Sequence, residues 1–254
     1  MGSSFHHTDD FIYPEWPAPD NVKAVMTTRN GGSSHTPFDS MNLGSHVDDL
    51  IDDVIQNRQV LKDRLSLPAE PLWLNQIHGT TVALHDQTAE GDDADAIISH
   101  ASNEVCSIMT ADCLPVLFCD TSGSVVAGAH AGWRGLQGGI LENCVAAMAK
   151  ACAKDEILVW LGAAIGPKAF EVGSEVREAF VSVHEESESA FTANQQSKWL
   201  ADIYQLARIH LVKSGVLAEN IYGGGHCTYT ETSQFFSYRR EFRTGRMASL
   251  IWLS

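Results

Sequence analysis

The sequence predicts an α+β protein, a single domain of layered mixed β-sheets flanked by helices. Short apolar runs and amphipathic stretches follow one another irregularly, without a βαβ alternation. No repeat, low-complexity segment or linker divides the chain, and 254 residues suit one large domain. Hydrophobic residues make up 44% and charged residues 19%, as in ordinary globular chains. The domain is read as residues 1–254, with Met1–Asp20 an N-terminal extension.

The elements follow in order. "VKAVMTTR" (22–29) is a first strand. "NGGSSHTPFDSMNLGSHV" is too long for a plain connection, and loops of that kind are functional or disordered. Residues 48–65 carry apolar positions at helical spacing behind acidic residues that suit a helix N-terminus. "PLWLNQIHG", "TVALH" and "ADAIIS" read as short strands, followed by "VCSIMTADC", "PVLFCD" and "SVVAGAH". The last two form a hairpin turning at Gly123 in "TSG". Residues 135–153 read as one helix, "ILVWLGAAIG" as a buried strand and "SEVREAFVSV" as a helix. "LADIYQLARIHLVKSGV" is an amphipathic helix ending at Gly215, and "SLIWLS" closes the chain as a strand.

Composition narrows the function. A formal net charge of −15 argues against nucleic-acid and anionic-membrane surfaces, which need clustered Lys and Arg. A small phosphate-bearing substrate remains compatible, because one or two local arginines hold it. No run is long and apolar enough to span a bilayer, and the start lacks the basic-then-apolar pattern of a signal peptide. Six scattered cysteines without a CxxC read as reduced thiols, and the expected location is cytoplasmic.

Three metal-capable residues stand at predicted strand ends or adjoining loops: His78 in "NQIHGTTV", Cys113 in "TADCLP" and His130 in "AHAGWRG". A thiolate with two imidazoles suits zinc, with a fourth position left for water or substrate, the pattern of a catalytic site. The plain alternative is that each is a core or surface residue, since cysteine packs as a small hydrophobe. Gly79, Gly128 and Gly132 let backbone come close to a ligand there. Asp112 either orients a histidine, works as general acid or base, or caps a turn. Arg29 with "NGGSS" either binds an anion or forms a surface loop, and no Walker signature is present. Asn42 and Gln76 either read a base or sugar edge or satisfy backbone. Arg134 stands at a predicted helix N-terminus, where anions bind. In "CTYTETSQFFSYRRE" the aromatics serve base stacking or core packing, and Phe170 and Glu171 are candidates to line a pocket.

Taken together, "NQIHG", "ADA", "TADCLPVLF", "AHAGWRG", "AIGP" and "FFSYRR" through "TGRMAS" resemble the YfiH-type family, also known as the laccase-domain or multicopper polyphenol oxidoreductase family. The resemblance runs from Val22 to Leu253. It implies a single α+β domain similar to the cysteine-hydrolase-like fold. It implies zinc on His78, Cys113 and His130. It implies phosphorolysis of adenosine, inosine, guanosine and methylthioadenosine, and deamination of adenosine, with nucleoside and phosphate as the partners.

Three other readings stand beside that one. A multicopper oxidase needs a His₂Cys copper and a further cluster that this family's older label associates with HxH motifs. The 11 histidines include no HxH, and the one His-Cys pair, His226-Cys227, is followed by Thr228. A single copper in the zinc site is still chemically open. A metal-free cysteine hydrolase would use Cys113 as nucleophile and His130 as base, which suits editing of peptidoglycan precursors. A non-catalytic binding protein would need none of the three residues.

Overall fold

Strand periodicity explains the layering. Along "LPVLFCD", Leu114, Val116 and Phe118 fall in one apolar cluster with the helices, while Leu117 and Cys119 fall in a second. Along "MASLIWL", Met247, Ile251 and Leu253 join that second cluster, whereas Ala248, Leu250 and Trp252 join a third with Leu61. Alternate side chains point to opposite faces of a strand, so each strand serves two cores and three cores separate four layers. The structure, a computed structural model, describes residues 10–254; the first part of the N-terminal extension lies outside the described residues.

In chain order the elements are β1 (Phe11–Ile12), β2 (Val22–Thr27), α1 (Ile51–Leu65), β3 (Pro71–Leu72), β4 (Val82–Leu84), β5 (Ala96–Ser99), β6 (Val105–Thr110), β7 (Leu114–Asp120) and β8 (Val126–Ala131). Then follow α2 (Trp133–Gly138), α3 (Ile140–Met148), β9 (Ile157–Leu161), β10 (Glu171–Val172), α4 (Ser174–Val183), β11 (Phe191–Ala193), β12 (Trp199–Ala201), α5 (Ile203–Lys213), β13 (Ile221–Gly223) and β14 (Met247–Leu253). One mixed sheet has the order β1-β2-β14-β6-β3, a second β13-β9-β7-β8-β5-β4, and β10-β12-β11 form a small third. Helix α1 covers the first sheet, and α3 and α5 cover the second. This is the α+β arrangement of layered mixed sheets that the sequence predicts. Ile12, Trp16 and Ala18, within the N-terminal extension, pack against the inter-sheet core.

Three differences have physical causes. Residues 135–153 are not one helix. Gly139 adopts φ 99°, ends α2 and starts α3, a left-handed conformation that glycine accepts without cost to Cβ. Of "PLWLNQIHG" only Pro71–Leu72 is strand. Further on, the Gln76 side-chain amide donates to Met109 C=O (2.7 Å) and accepts from Met109 N–H (2.8 Å), taking the place of a backbone ladder. Helix α1 begins at Ile51 rather than 48, after Asp48 at φ 65°.

Register builds the site. The β7–β8 hairpin pairs Leu114 with Ala131 and Pro115 with His130, which sets Cys113 beside the end of β8. Ala96 pairs with Ala129, so Asp95 lies across from His130 at the end of β5. Asp95 and His130 share the strand face of Ile97 and Leu117, which looks into the inter-sheet core. The site therefore opens at one end of the inter-sheet layer.

Candidate active site

His78, Cys113 and His130 converge there, with their ligand atoms all within 4.8 Å of one another. Cys113 Sγ lies 3.8 Å from His78 Nε2, and the two imidazoles meet edge to face at 4.7 Å between centroids. His78 is exposed and Cys113 half-buried, whereas His130 is buried. Gly132 makes the approach possible: a Cβ there would meet His78 Cδ2 at 2.8 Å and Cys113 Sγ at 3.0 Å.

Asp95 organises the cluster. Its buried carboxylate accepts the His130 Nδ1–H at 2.7 Å. It also accepts the consecutive N–H groups of Ile77 (3.2 Å), His78 (2.9 Å) and Gly79 (2.6 Å). One side chain thus sets the tautomer of one histidine and holds the loop that carries the other, with His78 at φ 61°. Burial pushes the Asp95 carboxyl up, but the His130 hydrogen bond, the Gly79 N–H, the His130 charge and the His78 N–H together bring it below its usual range.

Charge follows the same geometry. Burial raises the Cys113 thiol, but the charge and hydrogen bond of His130, then those of His78, outweigh it and bring the thiol to about 6. Burial lowers His130, and the Cys113 thiolate with Asp95 raises it to about 9. The pair therefore favours thiolate and imidazolium together. The donor set also fits zinc. Tetrahedral bonds of ordinary length place sulfur and nitrogen about 3.6 Å apart, close to the 3.8 Å between Cys113 and His78. Asp95 on Nδ1 leaves Nε2 of His130 as its ligand atom, the outer-shell carboxylate arrangement typical of metal-bound histidine.

The other residues singled out in the sequence divide into two groups. Gln76, Asp112 and Arg134 line a cavity of about 560 Å³ around the cluster, together with Asn75, Trp133, Phe170 and Ile203. Arg134 stacks on Trp133 at 4.4 Å and has no hydrogen bond or ion pair among the described residues. Asp112 does not hold an imidazole. Its carboxylate accepts from Thr228 Oγ1 (2.6 Å), Ser237 Oγ (3.0 Å) and Arg239 N–H (2.6 Å), so it ties the C-terminal loops to the start of β7. Asn42 and Arg29 lie outside the cavity lining. Asn42 is buried, with its amide spent on Gly44, Asp49 and the Arg246 N–H. Arg29 donates to Asp39 and Thr232 carbonyls, pairs with the Asp39 carboxylate at 3.4 Å and covers Phe236. Glu171 is likewise engaged elsewhere, with Lys198 and Asn194.

Sequence reading left Asp95, His46 and Arg246 unassigned. Asp95 had a signal: period-two alternation in "ADAIIS" puts it on the inward face of Ile97, where a carboxylate requires a partner. His46 and Arg246 come from distant loops; Arg246 stands in the "TGRMAS" block, but no local pattern places either residue beside His78. They line the cavity with Tyr238 and Arg239. Burial first, then the charges of Arg246 and Arg58, hold the His46 imidazole below its ordinary range. Phe235 and Phe236 of the same aromatic segment are core residues.

A layered α+β domain with a His/Cys/His set at the end of its inter-sheet layer defines a recognisable class. Residues 23–254 match the family described as multi-copper polyphenol oxidoreductase laccase. The chain belongs to this family, that of the YfiH-type proteins. It is 54% identical over 244 residues to a purine nucleoside phosphorylase of Pseudomonas aeruginosa, covering 96% of this chain and 98% of that one. It is 53% identical over 243 residues to the purine nucleoside phosphorylase YfiH of Escherichia coli, covering 95% and 98%. A crystal structure of a Neisseria meningitidis protein superposes with a TM-score of 0.91 at 48% identity, covering 96% and 99%. The crystal structure of Bacillus licheniformis YfiH gives 0.92 at 30% identity, covering 98% of each chain. No helix among the described residues is long and apolar enough to cross a membrane.

Proposed function

We propose that the chain is a zinc-dependent purine nucleoside phosphorylase acting on adenosine, inosine, guanosine and methylthioadenosine, and that the same site deaminates adenosine. The observation that carries this reading is a cationic cavity in an acidic chain. Arg134, Arg239 and Arg246 line it, none of them ion-paired with a carboxylate among the described residues, while the chain as a whole has net charge −15. The Asp112 carboxylate at its wall is turned to three donors of the C-terminal loops, Thr228, Ser237 and the Arg239 N–H, and the three guanidinium groups outnumber it. Such a cavity suits phosphate beside a flat apolar group, with guanidinium forks for the anion and Trp133, Phe170 and Tyr238 for the base. The names of the similar Pseudomonas and Escherichia proteins support the same assignment.

In phosphorolysis a phosphate oxygen forms the new bond to C1′ as the bond from C1′ to the purine nitrogen breaks, and the departing base takes up a proton. The arginines hold the phosphate and offset its charge against the leaving base. Asp95 keeps His130 in one tautomer. His78, Cys113 and His130 are the residues that would hold zinc, which when bound supplies a Lewis acid for an oxygen or a leaving group. In deamination water adds to C6 of adenine and ammonia leaves.

One observation favours a second reading. Cys113, His130 and Asp95 form a thiolate, imidazolium and carboxylate series, the arrangement of a cysteine hydrolase, for which peptidoglycan precursors are the substrates to try. A full multicopper set does not fit: no HxH is present, and the described residues bring together two separate groups of three metal-capable side chains. The deciding experiment measures metal content and turnover of adenosine with phosphate in the wild type and in Cys113→Ala. Loss in Cys113→Ala of both the zinc and the formation of adenine, inosine or hypoxanthine supports the zinc nucleoside enzyme, with adenine reporting phosphorolysis and inosine deamination. A metal-free wild type that leaves nucleosides intact and cleaves peptidoglycan precursors overturns it.

A further inference from the structure

The helical layer holds a second convergent group of donors, independent of the cavity. Helix α5 carries its buried stripe on Ile203, Tyr204, Leu206, Ala207, His210 and Leu211. Polar His210 thus occupies a core position, with its side chain 0% exposed. Glu142, in the first turn of α3, reaches it: His210 Nδ1 lies 2.5 Å from Glu142 Oε1. His184, the residue that ends α4, turns its Nε2 toward the same oxygen at 4.0 Å and its ring edge toward His210 at 4.8 Å between centroids.

Two features set this group apart from an ordinary hydrogen-bonded triad. The 4.0 Å gap is too long for a hydrogen bond, yet the three ligand atoms all lie within 4.8 Å of one another. In addition, Glu142 Oε2 is buried without any partner, and a buried orphan of this kind calls for an unseen water or ion. Two imidazoles and one carboxylate on a partly exposed edge make a recognised zinc-type donor set. His184 and Glu142 remain 21% and 30% exposed, so a hydrated cation has a path inward. The nearby Lys213 ammonium is paired with Glu186.

We propose that Glu142, His184 and His210 form a second divalent-cation site, for zinc-type ions, that clasps α3, α4 and α5 together over the second sheet. Cobalt(II) titration of the full chain, followed by absorption, tests this. Wild type is expected to take up two equivalents, one with a thiolate-to-cobalt charge-transfer band from Cys113 and one without. Cys113→Ala keeps only the second, and its Tm rises on addition of stoichiometric zinc. His184→Ala in that background, and separately Glu142→Gln, weaken uptake at least about tenfold and abolish the Tm shift. One equivalent in the wild type, or a Cys113→Ala chain whose Tm and cobalt spectrum do not respond, overturns the proposal. So does retention of the second equivalent by both His184→Ala and Glu142→Gln.

Discussion

The two ends of the β7–β8 hairpin use the same device over very different distances. At the turn end, the Asp120 carboxylate accepts from the Ser122 hydroxyl, the Ser124 hydroxyl (2.8 Å) and the N–H groups of Ser124 (2.7 Å) and Val125 (3.0 Å). Every partner lies within five residues. At the site end, Asp95 gathers residues 77–79 and His130, and Asp112 gathers Thr228, Ser237 and Arg239. A turn carboxylate closes its own loop. A site carboxylate joins segments that the chain keeps far apart, so its loss is felt by everything it joins.

The largest effect is expected from Asp95→Ala. It leaves three backbone N–H groups and a buried imidazole without their acceptor, so stability should fall by about 3–5 kcal/mol. Metal affinity should fall about 10–100-fold as His130 loses its orienting carboxylate. Denaturant unfolding and zinc titration check both. A variant that keeps full metal affinity would break the contrast, because Asp95 would then be a structural anchor like Asp120.

Asp112→Asn comes next. Asn tolerates the φ of 90°, but its amide nitrogen cannot accept, so one or two of the donors from residues 228–239 are stranded. Stability should drop by about 2 kcal/mol with metal content unchanged, since no metal-capable ligand touches this carboxylate. Parallel zinc measurements on the Asp95 and Asp112 variants separate the residue that orients the cluster from the one that positions the cavity wall.

Arg134→Ala is smaller again. Its guanidinium makes no structural bond among the described residues, so stability should hold while the KM for phosphate rises about tenfold, roughly 1.4 kcal/mol. Arg29→Ala is the control: its side chain is spent on Asp39 and Thr232 away from the cavity, and the phosphate KM should not move. An unchanged KM in Arg134→Ala would remove that residue from the phosphate role.

The same contrast explains what was legible in the sequence. The apolar run in "PVLFCD", helical spacing in "SEVREAFVSV" and the Gly123 turn depend on neighbours, and each element lies where the local pattern puts it. Helix α5 adds the Asp202 side chain accepting from Tyr204 and Gln205 N–H, a cap readable three residues at a time. The layered α+β class follows from these local pieces. The small β10-β12-β11 sheet, by contrast, is made of strands of two or three residues whose pairing is set by the fold around them. His78, Cys113 and His130 could be singled out because each is chemically conspicuous. Their common partner could not be chosen locally. Asp112, adjacent in sequence to Cys113, attracts the orienting role, whereas strand register assigns it to Asp95, which pairs across from His130. Arg246 reaches the cavity because Asn42, 204 residues away in sequence, accepts its N–H, a contact that no short motif encodes.

Asp120→Asn should have the smallest effect, and it tests the turn end by pH. Burial pushes the Asp120 carboxyl up, but the Ser122 hydroxyl, the Val125 N–H and the two Ser124 groups bring it below its ordinary 3.8. A carboxyl whose folded pKa is depressed stabilises the fold fully once the pH is above its unfolded value. That contribution is lost as the pH falls through the folded value, because the unfolded chain takes up its proton first. At pH 7 the Asn variant, which keeps one acceptor oxygen, should therefore be less stable by about 1 kcal/mol. Below pH 4 the gap to wild type should close, since protonated Asp120 has lost the same advantage. Urea unfolding of both chains across that range decides the point. A gap that stays constant would mean that Asp120 holds the turn through its acceptor geometry and not through its charge, and no gap at any pH would mean that the turn is held by its backbone and by Gly123. A gap that narrows would show the turn holding itself through a carboxylate whose partners are all local, which is why this end of the hairpin can be read from six letters and the other end cannot.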